Sequence, residues 1–205
     1  KISTLRRRLV SISMIHKLKG HYLDTKHPII VENLMGIRRI KGSIQKGKKP
    51  LLINHLKSVI NVIDEQKIED IKKYRDKSII LIGFGGGFRR TELISIDYED
   101  LEFVPEGLKI TIKRSKTDQF GEGMIKGLPY FTNENYCPVV NLKKWLEISK
   151  IKSGPIFRRF SKGSSLTDKR LTDQSVVLLM KEYLNLAGIE NKNFAGHSLR
   201  SGFAT

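Results

Sequence analysis

Two stretches of the chain carry side chains whose type and spacing could do chemistry on a phosphate. In Gly87-Phe88-Arg89-Arg90-Thr91-Glu92-Leu93 an arginine follows three glycines, and Glu92 lies three residues on, where a helix would bring its carboxylate against a guanidinium. The glycines do not make a phosphate loop, because the Gly-x-x-x-x-Gly-Lys-Ser/Thr spacing is absent and the segment before them reads as a helix. In Gly196-His197-Ser198-Leu199-Arg200 an imidazole and a guanidinium stand at i and i+3, a pair able to fork onto a phosphate and move a proton beside it. Lys116, within Arg114-Ser115-Lys116-Thr117-Asp118, falls at a turn after an alternating strand. Taken singly, each has a plainer reading: a surface Arg–Glu pair, an interface histidine, a solvated lysine. Metal chemistry has little to build on. His16, His21, His27 and His55 lack ligand spacing and carboxylate neighbours, and Cys137 is alone, so neither a thiolate cluster nor a disulfide framework is expected.

The elements that must position these groups follow from charge and periodicity. The 205 residues carry 38 Lys and Arg against 21 Asp and Glu, a net charge of +17. The first 50 residues hold 13 basic and 2 acidic side chains, residues 51–110 hold 9 and 11, and residues 111–205 hold 16 and 8. Two basic ends around a near-neutral middle suit a protein that grips a polyanion with two surfaces, while the plainer reading is a basic, solvated exterior. Few aromatic residues interleave with the basic ones, which favours duplex phosphates over a stacking platform for single strands. No run approaches the ~20 apolar residues of a membrane span and no signal-peptide core follows Lys1, so a cytoplasmic protein is expected.

Residues 4–19 repeat Leu5, Leu9, Ile12 and Ile15 at helical spacing, with Arg6, Arg7 and Arg8 crowded at the start. His27-Pro28 opens a second helix ending in the basic run from Arg38 and Arg39 to Lys41, and residues 42–50 read as a linker. From Leu51 a mixed domain is expected: helices around Leu52–Ile63, residues 68–84 and residues 90–96; strands at residues 101–104, 108–113 and 123–128; helices over residues 139–149 and 173–187; and a last helix from near His197. Residues 78–84 are almost wholly apolar and should be central. The fold class is mixed α+β, mainly helical, with a small antiparallel sheet.

Together, Gly87-Phe88-Arg89-Arg90-Thr91-Glu92-Leu93, Lys116 after a strand, Cys137-Pro138-Val139 ahead of Trp145-Leu146, Gly154-Pro155-Ile156-Phe157 and Ala195-Gly196-His197-Ser198-Leu199-Arg200 resemble, in order and approximate spacing, the tyrosine recombinase (phage integrase) family. No one motif is specific; the ordered set is. The resemblance implies that residues 51–205 form most of a catalytic domain, truncated before the nucleophilic tyrosine, and that residues 1–41 are the last helices of an incomplete, all-α core-binding domain that clamps DNA.

It implies roles as well. Arg89 and Arg200 match the two catalytic arginines, Lys116 the hairpin lysine, His197 the histidine of His-x-x-Arg, and Glu92 the buried acid that supports the first arginine. Ser201 stands where many relatives carry another histidine. Arg6, Arg7, Arg8, Arg38, Arg39 and Lys41 would contact DNA. In such an enzyme two permanently charged forks offset charge building on the phosphate oxygens, a lysine protonates the leaving 5′ oxygen and a tyrosine holds the strand as a 3′ phosphotyrosine. The six tyrosines, Tyr22, Tyr74, Tyr98, Tyr130, Tyr136 and Tyr183, all precede the family's nucleophile position, which is expected beyond Thr205. Double-stranded DNA is the expected partner, with a homotetramer on paired sites and no cofactor, membrane or small-molecule substrate. The competing reading is a decayed, non-catalytic DNA-binding protein, which needs positive charge but not all four candidate groups.

Overall fold

Apolar residues at helical spacing form α1 (Ile2–Leu18), and α2 (Pro28–Lys41) starts where His27 accepts the Ile29 N–H at 3.3 Å through Nδ1 and Pro28 fills the first turn, which needs no donor. Neither helix buries a residue, and Val10, Met14, Leu18, Ile29 and Ile40 are exposed, as expected of two helices with little apolar surface to share. The computed structural model describes residues 1–42, 47–113 and 123–205. It divides into two units, Lys1–Gly47 and Lys48–Thr205.

The second unit begins with α3 (Ile53–Glu65), whose Leu56, Val59, Ile60 and Ile63 face inward, and α4 (Asp70–Gly85), buried continuously from Arg75 to Gly83. A helix apolar on every side must be surrounded, and α4 is. Around it pack α3, α5 (Arg90–Ser95), α6 (Pro138–Ser149), α7 (Asp173–Leu186) and α8 (Ser198–Phe203). Trp145 in α6 is fully buried and donates its indole N–H to the Ile156 carbonyl at 2.8 Å, which locks the segment after α6 against the core. At the head of α7, the Thr172 hydroxyl accepts the Ser175 N–H at 3.2 Å.

A three-stranded antiparallel sheet, β1 (Leu101–Val104), β2 (Gly107–Ile112) and β3 (Met124–Pro129), lies between α5 and α6 in the chain. In β2, Leu108, Ile110 and Ile112 are buried and Lys109 and Thr111 exposed, the alternation of a sheet wetted on one face. On β3 Lys126 pairs with Ile110 and Leu128 with Leu108, so Lys126 stands on the core-facing side.

The structure adds a second hairpin that sequence reasoning did not anticipate, β4 (Arg158–Phe160) with β5 (Leu166–Arg170). Just ahead of it Pro155 forms an isolated bridge with Asp97 and the Ile156 N–H donates to Ile96 O at 3.2 Å; the strand pairing begins at Arg158. The hairpin is rich in charge and lacks apolar alternation. Polar links hold it instead: Arg158 reaches Asp168 at 2.5 Å, and the Arg75 guanidinium lies 4.5 Å over the Phe160 ring.

The beginning of the second unit is laced to its last helix. Leu51 N–H donates to Ser198 O at 2.9 Å, Lys49 N–H to Asn193 O at 2.8 Å, and Lys48 Nζ to Lys192 O across 144 residues of sequence. Gly202 makes room for this seam, since a Cβ there would lie 1.9 Å from Leu51 O. Among the described residues no helix is long and apolar enough to cross a membrane.

Candidate active site

The turn after α4 sets the site. Gly87 takes φ +54°, a conformation cheap for glycine, and reverses the chain so that Phe88 drops into the core and Arg89 caps α5. Glu92, 4% exposed, then serves two arginines. Its Oε2 accepts the Arg89 backbone N–H at 2.9 Å, and its Oε1 meets Arg89 Nη1 at 2.6 Å. Arg200, from α8, brings Nη1 to 3.8 Å from Glu92 Oε2 and donates to the Gly87 carbonyl at 3.2 Å. The two arginine side chains, 25% and 35% exposed, thus converge on one buried carboxylate, two positive charges against one negative.

Arg90 goes elsewhere. It pairs with Asp173 at 3.5 Å, and its side chain crosses Gly196 so closely that a Cβ there would lie 2.0 Å from its Cδ. The arginine that joins the cluster is therefore Arg89, as the motif spacing had it. His197 caps α8 one turn before Arg200, its side chain exposed and its carbonyl accepting both the N–H and the hydroxyl of Ser201 at 3.0 Å. Lys116 lies outside the described residues. Arg6, Arg7 and Arg8 on α1, and Arg38, Arg39 and Lys41 on α2, are exposed. Among the described residues no group of three or more His, Cys, Asp or Glu is arranged to hold a metal ion.

Sequence reasoning missed Lys126. Its Nζ donates to the carbonyls of Gly86 at 2.6 Å and Gly87 at 3.2 Å and lies 4.4 Å from the Phe88 ring centroid. Burial pulls its pKa below the ordinary lysine value; the charges of Arg200 and Arg89 push the same way and Glu92 opposes them. Its signal was the alternation Met124, Lys126, Leu128, which puts the lysine on the inward face, but among so many basic residues that spacing drew no notice.

Paired guanidiniums seated on a buried acid, at the edge of a helical core flanked by a small antiparallel sheet, form an arrangement with the chemistry to hold an oxyanion in an α+β domain. The chain belongs to the phage integrase family, which residues 51–205 match. It is 42% identical, over its whole length and 60% of the relative's, to an integrase/recombinase xerD homolog of Selenomonas ruminantium. It is 28% identical to the tyrosine recombinase XerD of Staphylococcus haemolyticus, over 73% of this chain and 46% of that one. Among solved structures it is similar in fold to XerH recombinase bound to a palindromic difH substrate in a post-cleavage complex, with TM-score 0.59, 21% identity, and 77% of this chain and 41% of that one covered. It is also similar to a lambda integrase dimer bound to a core site, with TM-score 0.55, 12% identity, and 97% and 55% covered. The chain thus spans about half to three fifths of the curated relatives it matches.

Proposed function

We propose that the chain is the greater part of a site-specific DNA recombinase that cuts and rejoins strands through a 3′ phosphotyrosine. The observation that carries this reading is the convergence of Arg89 and Arg200 on Glu92, with both arginine side chains still partly exposed. Attack on a phosphodiester places negative charge on the two non-bridging oxygens, and two preorganised forks stabilise it without moving. His197, exposed at the head of the helix that bears Arg200, would accept a proton from the nucleophile, and Lys116 would give one to the departing 5′ oxygen. The nucleophile is assigned to a tyrosine following Thr205 in the full-length protein.

Residues 1–41 are read as part of a core-binding domain, with Arg6, Arg7, Arg8, Arg38, Arg39 and Lys41 gripping duplex backbone, and a homotetramer forms on paired sites. The exposure of all six side chains, in a stretch with 13 basic and 2 acidic residues among its first 50, supports this. Affinity for duplex should then fall by about 0.9 log unit per log unit of salt for each phosphate neutralised, and deleting residues 1–41 should flatten that slope. A slope indifferent to the deletion removes these residues from the interface.

The deciding experiment incubates full-length protein with nicked suicide duplexes that carry its site, selected from random sequence, and looks for a denaturation-resistant protein–DNA adduct. The full-length protein should give it. The 205-residue chain should bind without forming it. An adduct from this chain that one of its six tyrosines accounts for, by loss on Tyr→Phe substitution, would show that the nucleophile has been misplaced.

A further inference from the structure

A charged ammonium on the core-facing side of a strand needs a reason, since burying it unpaired is costly. Lys126 stands opposite fully buried Ile110, two residues from buried Leu128, a position whose neighbours are apolar. Among the described residues no carboxylate takes its charge directly; it spends two donors on the carbonyls of Gly86 and Gly87, the first residues after α4. Those carbonyls lie at the negative end of the α4 dipole, where a cation is favoured and where the helix has acceptors of its own to satisfy.

The same turn leads directly into Arg89, and the Gly87 oxygen that accepts from Lys126 also accepts from Arg200. One carbonyl oxygen is therefore held by two cations, one from β3 and one from α8, with the Phe88 ring under the lysine. We propose that Lys126 is a positioning residue for the strand-cleavage step, holding the Gly86-Gly87 turn so that Arg89 and Arg200 meet the scissile phosphate in a fixed relation. Its partners are fixed peptide groups rather than substrate, so it acts through the arginines. This inference rests on the recombinase reading above.

Among the described residues, the charges facing Lys126 are Glu92 and Arg89 from the turn and α5, and Arg200 from α8. Burial and both arginines lower its pKa, so the ammonium loses its proton at lower pH than an ordinary lysine does. The clamp should loosen as that proton leaves. An arginine in its place would stay charged throughout.

The test compares single-turnover cleavage by full-length wild type, Lys126→Met and Lys126→Arg across pH. Duplex affinity and melting temperature are measured in parallel. The substrate carries sulfur at the bridging 5′ position, so that proton donation to the leaving group no longer limits the rate. Lys126→Met should slow cleavage about tenfold while affinity and melting temperature hold, placing the loss in the chemical step rather than in binding. Lys126→Arg should restore most of the rate and move the alkaline fall of wild type to higher pH. Lys126→Met cutting at the wild-type rate overturns the inference alone, as does a loss that tracks a fall in melting temperature and that arginine fails to repair. Wild type that cuts no duplex overturns the recombinase reading and the inference with it.

Discussion

Two arginine–carboxylate clusters in the second unit share their chemistry and differ in how they end. In the first, within and behind α4, Arg75 meets Asp76 at 2.6 Å, Tyr183 donates to the other Asp76 oxygen at 2.8 Å, and the side chains of Arg75 and Asp76 are 8% and 2% exposed. That network closes on itself. In the second, Glu92 is as deeply buried, but the guanidiniums it seats are a quarter to a third exposed. A closed network spends its charge on holding elements together; one whose arginine side chains reach the surface can also meet a ligand there. Residue types alone do not distinguish the two. Exposure of the cationic end does.

The sharpest way to break this contrast is to remove the acid from the closed cluster. Asp76→Ala strands the Arg75 guanidinium in the interior and should cost about 3–5 kcal/mol of stability, read as a fall in the urea midpoint. A small change would mean that water reaches Arg75 and that the cluster is not closed. Next in size is the open cluster. Arg89→Ala or Arg200→Ala in the full-length protein should slow cleavage at least ~100-fold, equivalent to about 2.7 kcal/mol, while the urea midpoint moves little. A large stability loss at Arg200 would make it a structural residue like Arg75.

A finer comparison pairs one polar group from each cluster. Tyr183→Phe should lower stability by about 1–2 kcal/mol, because a buried carboxylate loses a donor, and should leave cleavage unchanged in the folded protein. Glu92→Gln keeps the volume but weakens the seat of both arginines; cleavage should drop about tenfold. The smallest effect belongs to Arg90→Ala, whose pair with Asp173 is solvent-accessible: under ~1 kcal/mol in stability and within a few-fold in cleavage. If Arg90→Ala impairs cleavage more than Arg89→Ala, the assignment of the catalytic arginine is off by one position.

What the sequence disclosed divides along the same physical line. The core elements announce themselves through periodicity: α4 was legible from its apolar second half, α3 from Leu56, Val59, Ile60 and Ile63, and β2 from strict alternation. Arg89, Glu92 and Arg200 were legible because motif order and helical spacing both point to them. The β4–β5 hairpin was not, since its strands are short and charged and show no apolar alternation, with Phe160 and Leu166 as its apolar pair. Lys126 was hidden for a related reason. Its partners are backbone carbonyls, which every residue has, so nothing in the sequence marks them as its destination.

The seam joining Leu51 to Ser198 and Lys48 to Lys192 bears on when the site comes into being. Those hydrogen bonds close a loop of about 144 residues, so their entropic cost must be met after most local contacts exist. On a ribosome, α4, the Gly86-Gly87 turn and the Arg89–Glu92 pair emerge long before α8, and N-terminal parts organise first. A nascent chain therefore carries half of a phosphate-binding centre for most of its synthesis. Arg200 takes its place only when residues 48–51 meet α8 and the segment just before it, which makes the pairing of both arginines on Glu92 a late event of folding rather than one the growing chain acquires by degrees.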